Sequence, residues 1–193
     1  MGKEAISANV SQRILDAAYR CISDKGYAHA SLRDIAEEAG VALSQLNYYY
    51  QNKEGLFRAV VRELSRKYIR EVEERLQKGS SAKERFPLLL AYFRTTMHDQ
   101  PDAIKLLFDL VSMSFWNPSF KNLVSSLFDD VAALIEKYIL KDSSFTISYP
   151  QSSAKVCAKS MVGTIFGTAL QYVLNPSDSI LMDSLNCLDI SAH

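Results

Sequence analysis

Apolar side chains recur three and four residues apart along nearly the whole chain, and this spacing restricts the fold more than any other feature. Residues spaced in this way share one face of an α-helix, whereas a β-strand needs alternation. Glycines fall where the runs stop, as Gly26 does after the first run, and glycine commonly follows the last turn of a helix. Only residues 145–149 alternate weakly, and the Ser-rich segment around them favours a loop. The sequence therefore predicts an all-α protein.

The first 50 residues are predicted to form three helices, of which the last two are short. Ser31 can cap the second helix, and Asp34 is placed to complete a capping box. Gly40 lies in the tight turn between the second and third helices. The predicted helices of the whole chain are residues 11–25, 32–39, 41–50, 53–77, 82–99, 101–115, 117–141, 151–174 and 178–189.

Charge, cysteine content and motifs exclude several other classes of protein. Lys plus Arg and Asp plus Glu both total 22, so the net charge alone does not indicate a nucleic-acid-binding protein. Cys21, Cys157 and Cys187 are far apart and lack metal-ligand spacing, which predicts no disulfide framework and no metal site. No HExxH, GxSxG or phosphate-loop motif is present, so neither an enzyme nor a cofactor is predicted. No apolar run is long enough to cross a membrane, and we expect a cytoplasmic protein.

The third predicted helix presents a polar and aromatic surface. If Val41, Leu46 and Tyr50 face the core, the remaining side chains point outward. They are Leu43, Ser44, Gln45, Asn47, Tyr48 and Tyr49. A short helix that follows a tight turn and a bracing helix can lie in the major groove of DNA. The pattern therefore favours a helix-turn-helix; the alternative is that these tyrosines are ordinary core and surface residues.

The segment SLRDIAEEAGVALSQLNYYYQNKEGLFRAVV resembles the DNA-binding signature of the TetR family of repressors, and the similarity runs from about residue 13 to 61. The positions that keep the family's spacing are Gly26, Ser31, Ile35, Ala36, Ala39, Gly40, Val41, Leu46, Tyr49, Tyr50, Lys53 and Glu54. The resemblance implies an N-terminal three-helix helix-turn-helix domain, residues 1–52. A C-terminal helical ligand-binding and dimerisation domain would follow over residues 53–193, with 53–78 as the connecting helix.

The resemblance also implies which residues contact DNA. Those expected to read base edges are Arg33, Leu43, Ser44, Gln45 and Tyr48. Those expected to contact phosphates are Ser31, Asn47, Tyr49 and Lys53. A salt bridge from Arg33 to Glu37 is the structural alternative for that arginine. Two positions depart from the family, because Ala42 stands where a capping Ser or Thr is common and Asn47 where a Tyr is common.

The stretch from Phe86 to Trp116 is rich in large apolar side chains. Small-molecule sites are mostly apolar, so we expect a pocket for a small apolar ligand in this region. The residues expected to line it are Phe93, Met97, Leu107, Val111, Phe115, Trp116, Phe128 and Phe166. Ordinary core packing is the alternative for each of them.

The predicted helix over 151–174 is apolar on more than one side, whereas a helix with one solvent-exposed face is polar on that face. Gly163 and Gly167 would leave a flat strip on which another helix can lie closely. With the last helix, this one could form half of a four-helix bundle across a twofold axis, and the resemblance implies the same homodimer. The expected interface residues are Gly163, Phe166, Gly167, Leu170, Leu181 and Leu185. Enclosure within one subunit is the alternative.

Together these features predict a ligand-responsive transcriptional regulator that acts as a repressor. A homodimer would place its two readers in successive major grooves of a palindromic operator. A small apolar molecule would favour a different arrangement and release the DNA. The alternative is a helical small-molecule carrier or sensor without sequence-specific DNA binding.

Overall fold

The structure, a computed structural model, describes residues 2–142 and 153–185. All regular structure within these ranges is helical, which confirms the all-α prediction for this part of the chain. The helices are α1 (Gly2–His29), α2 (Leu32–Glu38), α3 (Leu43–Tyr50), α4 (Lys53–Leu76), α5 (Ala82–Asp99), α6 (Pro101–Ser114), α7 (Pro118–Ile135), α8 (Ala154–Leu174) and α9 (Ser179–Ser184). The weak strand candidate over 145–149 and the end of the last predicted helix lie outside the described residues.

Two helices differ from their predicted bounds. Helix α1 begins at Gly2 rather than Ser11, because its first turns carry too few apolar residues to give a periodic signal. The helix predicted over 117–141 ends as a π-helical turn, Glu136–Leu140. Apolar spacing does not distinguish a π-turn from the α-helix that it continues. The other bounds agree closely, and α5 has the predicted ones.

The chain divides by its internal contacts into two compact units. Unit 1 contains the residues up to 65 together with 105–123, and unit 2 contains 66–104 and the residues from 124 onward. Unit 1 therefore holds α1, α2, α3 and the start of α4, as well as parts of α6 and α7. This division does not coincide with the predicted domain boundary at residue 52.

The core of unit 1 is built on one face of α1. Ile14 and Ala17 of this helix have no exposed surface, and Ile35 of α2 and Leu46 of α3 are equally enclosed. Burying an aliphatic side chain of the size of Ile or Leu contributes about 1.5–3 kcal/mol. Because helices as short as α2 and α3 are marginal in water, both depend on this packing.

In unit 2, α5 packs on the end of α7 and on α8. Leu89 of α5 and Ile139 of the π-helical turn have no exposed surface. Arg85 reinforces the contact, since its guanidinium donates to the carbonyl oxygen of Tyr138 at 3.1 Å and to the carboxylate of Asp142 at 3.2 Å. This pair of bonds ties α5 to the π-helical turn and to the segment that follows it.

Gly26 breaks the backbone of α1. Its φ of 74° and ψ of 160° lie in a region that is essentially restricted to glycine. After the break the chain continues to His29, and the ring of Tyr27 packs on Phe57 with centroids 4.6 Å apart. The break thus directs the end of α1 against the start of α4.

We expect Gly26→Ala to lower the free energy of unfolding by about 1–3 kcal/mol, because a side chain at this φ and ψ strains the backbone. Urea denaturation followed by circular dichroism measures the change. The exposed substitution Asp24→Ala on the same helix is the control and should change the free energy by less than about 0.5 kcal/mol. An unchanged midpoint for Gly26→Ala would show that the glycine does not impose the break.

Candidate nucleic-acid interface

Helix α2 ends and α3 begins across a tight turn at Gly40, whose φ is 62°. The N–H of Gly40 donates to the carbonyl oxygen of Glu37 at 3.0 Å, and the N–H of Val41 donates to that of Ala36 at 2.9 Å. These two bonds form the Schellman motif that commonly ends a helix at a glycine. The motif sets the direction in which the chain enters α3.

The two short helices start differently. The hydroxyl oxygen of Ser31 accepts a hydrogen bond from the N–H of Asp34 at 3.1 Å, which confirms the predicted cap of α2. Two hydrogen bonds lower the pKa of the Asp34 carboxyl: the larger effect comes from the Ser31 side chain and the smaller from Lys25. Ala42 precedes α3 without a side-chain bond. The start of α3 is therefore not fixed by its own cap.

Helix α3 turns one residue completely inward and leaves a broad outer face. Leu46 has no exposed surface, whereas Tyr48 is 83% exposed. Val41 and Tyr50, which were expected to face the core, are half-buried, and so is Leu43. The fully exposed residues of the outer face besides Tyr48 are Ser44, Gln45 and Asn47. Their hydrogen-bonding groups are all available to a ligand or a nucleic acid.

The three consecutive tyrosines have different surroundings. The ring of Tyr48 stands almost perpendicular to that of Tyr49, with centroids 5.5 Å apart. Tyr49 is half-buried. The hydroxyl of Tyr50 donates to the carbonyl oxygen of Ser11 at 3.2 Å and lies 2.8 Å from the Ser11 hydroxyl. Burial raises the pKa of Tyr50, so this donor stays protonated. Tyr50 is thus a structural residue, while Tyr48 is free to contact a partner.

The two basic candidates also differ. Arg33 on α2 is exposed, and no described residue forms a hydrogen bond or ion pair with its guanidinium, so the alternative bridge to Glu37 is not formed. The ammonium of Lys53 donates to the carbonyl oxygen of Ala28 at 3.1 Å and lies 4.5 Å from the centroid of the Tyr27 ring. Burial lowers the pKa of Lys53. Lys53 is therefore held at the start of α4, with two of its three donors unused.

Sequence reasoning missed one contact in this region. The guanidinium of Arg13 on α1 donates to the carbonyl oxygens of Ala39 and Gly40, in the turn that leads into α3. The bond to Ala39 joins residues 26 positions apart in the chain. The spacing of neighbouring residues cannot predict a contact between positions so far apart. The predicted DNA contacts, by comparison, were implied by the family resemblance.

The residues expected to line a pocket are divided between the two units. Those in unit 1 are Leu107, Val111, Phe115 and Trp116, and those in unit 2 are Phe93, Met97, Phe128 and Phe166. Phe115 and Trp116 are 77% and 88% exposed. Both follow the last turn of α6. In unit 2, Met97 is buried and the rings of Phe128 and Phe166 meet edge to face at 5.1 Å.

Helix α8 has two apolar sides, as its sequence indicates. Its inner side consists of the buried residues Ala158, Met161, Ile165, Thr168 and Ala169. On its outer side, Leu170 and Leu174 are 39% and 75% exposed. Gly163 and Gly167 lie along the same helix, and a Cβ added at either would have no neighbour within 4 Å. Among residues 2–142 and 153–185, nothing covers this outer side, which we call the open strip.

The other three predicted interface residues are less exposed than Leu170. Leu185, after α9, has no exposed surface. Phe166 is half-buried against Phe128, and Leu181 is half-buried on α9. Ile180, which the sequence analysis did not select, is 74% exposed on α9.

Among residues 2–142 and 153–185, no group of His, Cys, Asp or Glu side chains is placed to hold a metal ion. Within the same ranges, no helix combines the length and apolar character that a membrane span requires.

Comparisons with known proteins agree with the geometry of unit 1. Residues 14–60 match the sequence model of a family described as bacterial regulatory proteins, tetR family. The chain is 26% identical over 170 residues to the nicotine-responsive transcriptional repressor HdnoR of Paenarthrobacter nicotinovorans, covering 86% of this chain and 85% of that protein. Such relatives are transcriptional regulators, which are not enzymes.

Two solved structures share the fold along most of the chain. A TetR transcription regulator from Haloarcula marismortui has a TM-score of 0.81 at 19% identity and covers 94% of this chain and 95% of that one. FadR from Bacillus subtilis in complex with stearoyl-CoA has a TM-score of 0.71 at 22% identity and covers 92% and 94%. The segment matched by the family includes the turn at Gly40, α3 and the start of α4. This chain belongs to the TetR family of bacterial transcriptional regulators.

Proposed function

We propose that this protein is a repressor that binds a palindromic operator as a homodimer and leaves it when a small apolar molecule binds. The observation that carries the proposal is the outer face of α3, which exposes Gln45 and Tyr48 on a helix fixed from behind by the buried Leu46. Residues 1–52 would be the DNA-binding domain and 53–193 the ligand-binding and dimerisation domain. A repressor of this kind acts in the cytoplasm, where its operator lies.

Base reading would be carried out by α3 and by Arg33 of α2. The guanidinium of Arg33 has no partner among the described residues, so it can bind O6 and N7 of a guanine without breaking an internal ion pair. The amide of Gln45 suits N6 and N7 of an adenine. Three further residues of this face complete the set proposed to read bases: Leu43, Ser44 and Tyr48.

Phosphate contacts would set the register of α3 in the groove. Ser31 is exposed at the start of α2, where its hydroxyl would exchange its bond to the Asp34 carboxylate for one to a phosphate. Lys53 has spare donors at the first turn of α4, where the helix dipole also favours an anionic oxygen. Asn47 is exposed and Tyr49 half-buried on α3, and both can donate to the backbone of the DNA.

We expect Arg33→Ala and Gln45→Ala each to weaken binding to a selected operator by about 1–3 kcal/mol, because each removes a bidentate base contact. Binding to a scrambled duplex should change little. Arg62→Ala, an exposed arginine on α4, is the charge-matched control and should bind both duplexes normally. Gel retardation at several salt concentrations measures all of these affinities. Equal losses on both duplexes would contradict base reading, and wild-type protein without any sequence-selective shift would favour the carrier alternative.

The homodimer would form through the open strip of α8. Gly163 and Gly167 leave room for the partner's helix to lie close, and Leu170 and Leu174 would then be buried. Exposed apolar residues that form a continuous stripe commonly mark an interface. The exposed Ile180 and half-buried Leu181 of α9 extend the strip, as a bundle of two helices from each subunit requires.

We expect the double variant Leu170→Glu, Leu174→Glu to be monomeric at micromolar concentration, because two like charges would face their copies across the twofold axis. Sedimentation velocity measures the change, and circular dichroism should show the helix content preserved. Ala133→Glu adds an acidic side chain at an exposed position of α7 and should leave the dimer intact. A stable dimer of the double variant would place the interface elsewhere.

The ligand would bind in the C-terminal part of the chain. HdnoR is nicotine-responsive and FadR has been solved with stearoyl-CoA, so relatives differ widely in ligand chemistry. We place the site of this chain at the half-buried aromatic residues Phe93, Phe128 and Phe166 of unit 2, together with the buried Met97. The apolar character of this group favours a ligand with a large apolar surface.

A ligand that raises the melting temperature should also weaken operator binding, and DNA should weaken ligand binding by the same factor. Nicotine and stearoyl-CoA are the first two compounds to test, by thermal shift and then by gel retardation. Phe93→Ala is expected to reduce the affinity of an effective compound about tenfold, whereas Phe115→Ala, the same change at an exposed site, should not. Equal effects of both variants would contradict the assignment of the site to unit 2.

A further inference from the structure

We propose that Arg13 and Ser11, both on α1, hold the two ends of α3 in the orientation that reads bases, and that they act as positioning residues rather than as DNA contacts. The inference rests on the proposed function and deepens it. It concerns residues outside the set expected to touch DNA.

Arg13 holds the entry to α3. Its guanidinium donates to the carbonyl oxygens of Ala39 and Gly40, which belong to the end of α2 and lack partners within that helix. The C-terminal end of a helix carries partial negative charge, and α2 has no basic residue in its last turn. Arg13 supplies this missing cation from α1. Charge-assisted bonds of this kind are stronger than neutral ones.

The guanidinium also lies flush against the turn. A Cβ added at Gly40 would lie 2.9 Å from Nη2 of Arg13. The turn therefore requires glycine for two reasons: the positive φ of residue 40 and the close approach of the Arg13 guanidinium. Since Ala42 provides no side-chain cap for α3, Arg13 adds a side-chain contact to the Schellman hydrogen bonds at the place where α3 starts.

Ser11 holds the other end. Its carbonyl and hydroxyl oxygens bond to the hydroxyl of Tyr50, the last residue of α3, at 3.2 and 2.8 Å. Ser11 and Arg13 flank one stretch of α1 next to Ile14, which is completely buried. Both ends of α3 are therefore tied to a single rigid part of α1.

The alternative role for Arg13 is a direct contact with a DNA phosphate, because Arg13 is exposed. Salt dependence separates the two roles. Loss of a phosphate contact reduces the slope of log Kobs against log salt by about 0.9 for each contact. Loss of a positioning bond lowers selective affinity and leaves this slope unchanged.

The experiment uses a duplex selected by the wild-type protein from a random library, and a scrambled duplex of equal length. Arg13→Gln should lose roughly ten- to a hundredfold affinity for the selected duplex, since charged hydrogen bonds contribute about 1.5–3 kcal/mol. Binding to the scrambled duplex and the salt slope should stay as in wild type. Arg13→Lys should recover part of the loss, because an ammonium can still donate to one carbonyl oxygen.

The variants Tyr50→Phe and Ser11→Ala test the other end with almost no change in volume. Each should reduce the selective affinity by roughly threefold or more, as expected for loss of a neutral hydrogen bond. Arg62→Gln is the matched control: Arg62 is exposed on α4, and no described residue forms a hydrogen bond or ion pair with its guanidinium. Circular dichroism and a stoichiometric titration verify that every variant is folded and active.

Unchanged selectivity in Arg13→Gln and Tyr50→Phe would overturn the inference, as would equal losses on both duplexes with a shallower salt slope. If Arg13→Gln does not fold, the result for Tyr50→Phe and Ser11→Ala decides. A library from which the wild-type protein selects no duplex would overturn the proposed function, and this inference with it.

Discussion

The position of α3 depends on support from outside the helix. It has eight residues, and a helix of this length is marginal in water even for favourable sequences. Leu46 is its only fully buried residue among those described, and burial of one leucine contributes about 1.5–3 kcal/mol. Ordering each residue costs about 1–2 kcal/mol of backbone entropy, so Leu46 cannot maintain the helix alone. Because support comes from α1 and the turns, the outer face of α3 is left free for polar residues.

Features fixed by neighbouring residues could be predicted from the sequence, and features fixed by distant contacts could not. The cap of Ser31 and the turn at Gly40 follow from their own backbone chemistry, and both were found where the sequence placed them. The exposed face of α3 followed from helical spacing. The exposure of Trp116 and the burial of Leu185 were not predictable. An apolar side chain favours burial, but the sequence does not show which neighbouring residues would bury it.

Helix α8 illustrates the same limit in another way. Its apolar residues indicated two buried sides, and the packing against α5 and the end of α7 accounts for only one of them. On the second side, Leu170 and Leu174 are exposed, and no residue in the described part of the chain covers them. Glycines at 163 and 167 would weaken an isolated helix. Their cost is offset only if the open strip that they create is used for close packing, which is the argument for a second copy of the chain at this place.

Residues 105–123 come from the part of the sequence assigned to the ligand domain, yet they pack within unit 1. The amide of Asn117 donates to the carboxylate of Glu54 at 3.1 Å, and the ring of Phe120 lies 5.4 Å from that of Phe57. Both partners are in the first turns of α4, beside Lys53. A displacement of this segment would therefore move the start of α4, and α3 ends immediately before it. Close-packed side chains transmit such displacements because they leave no space to absorb them.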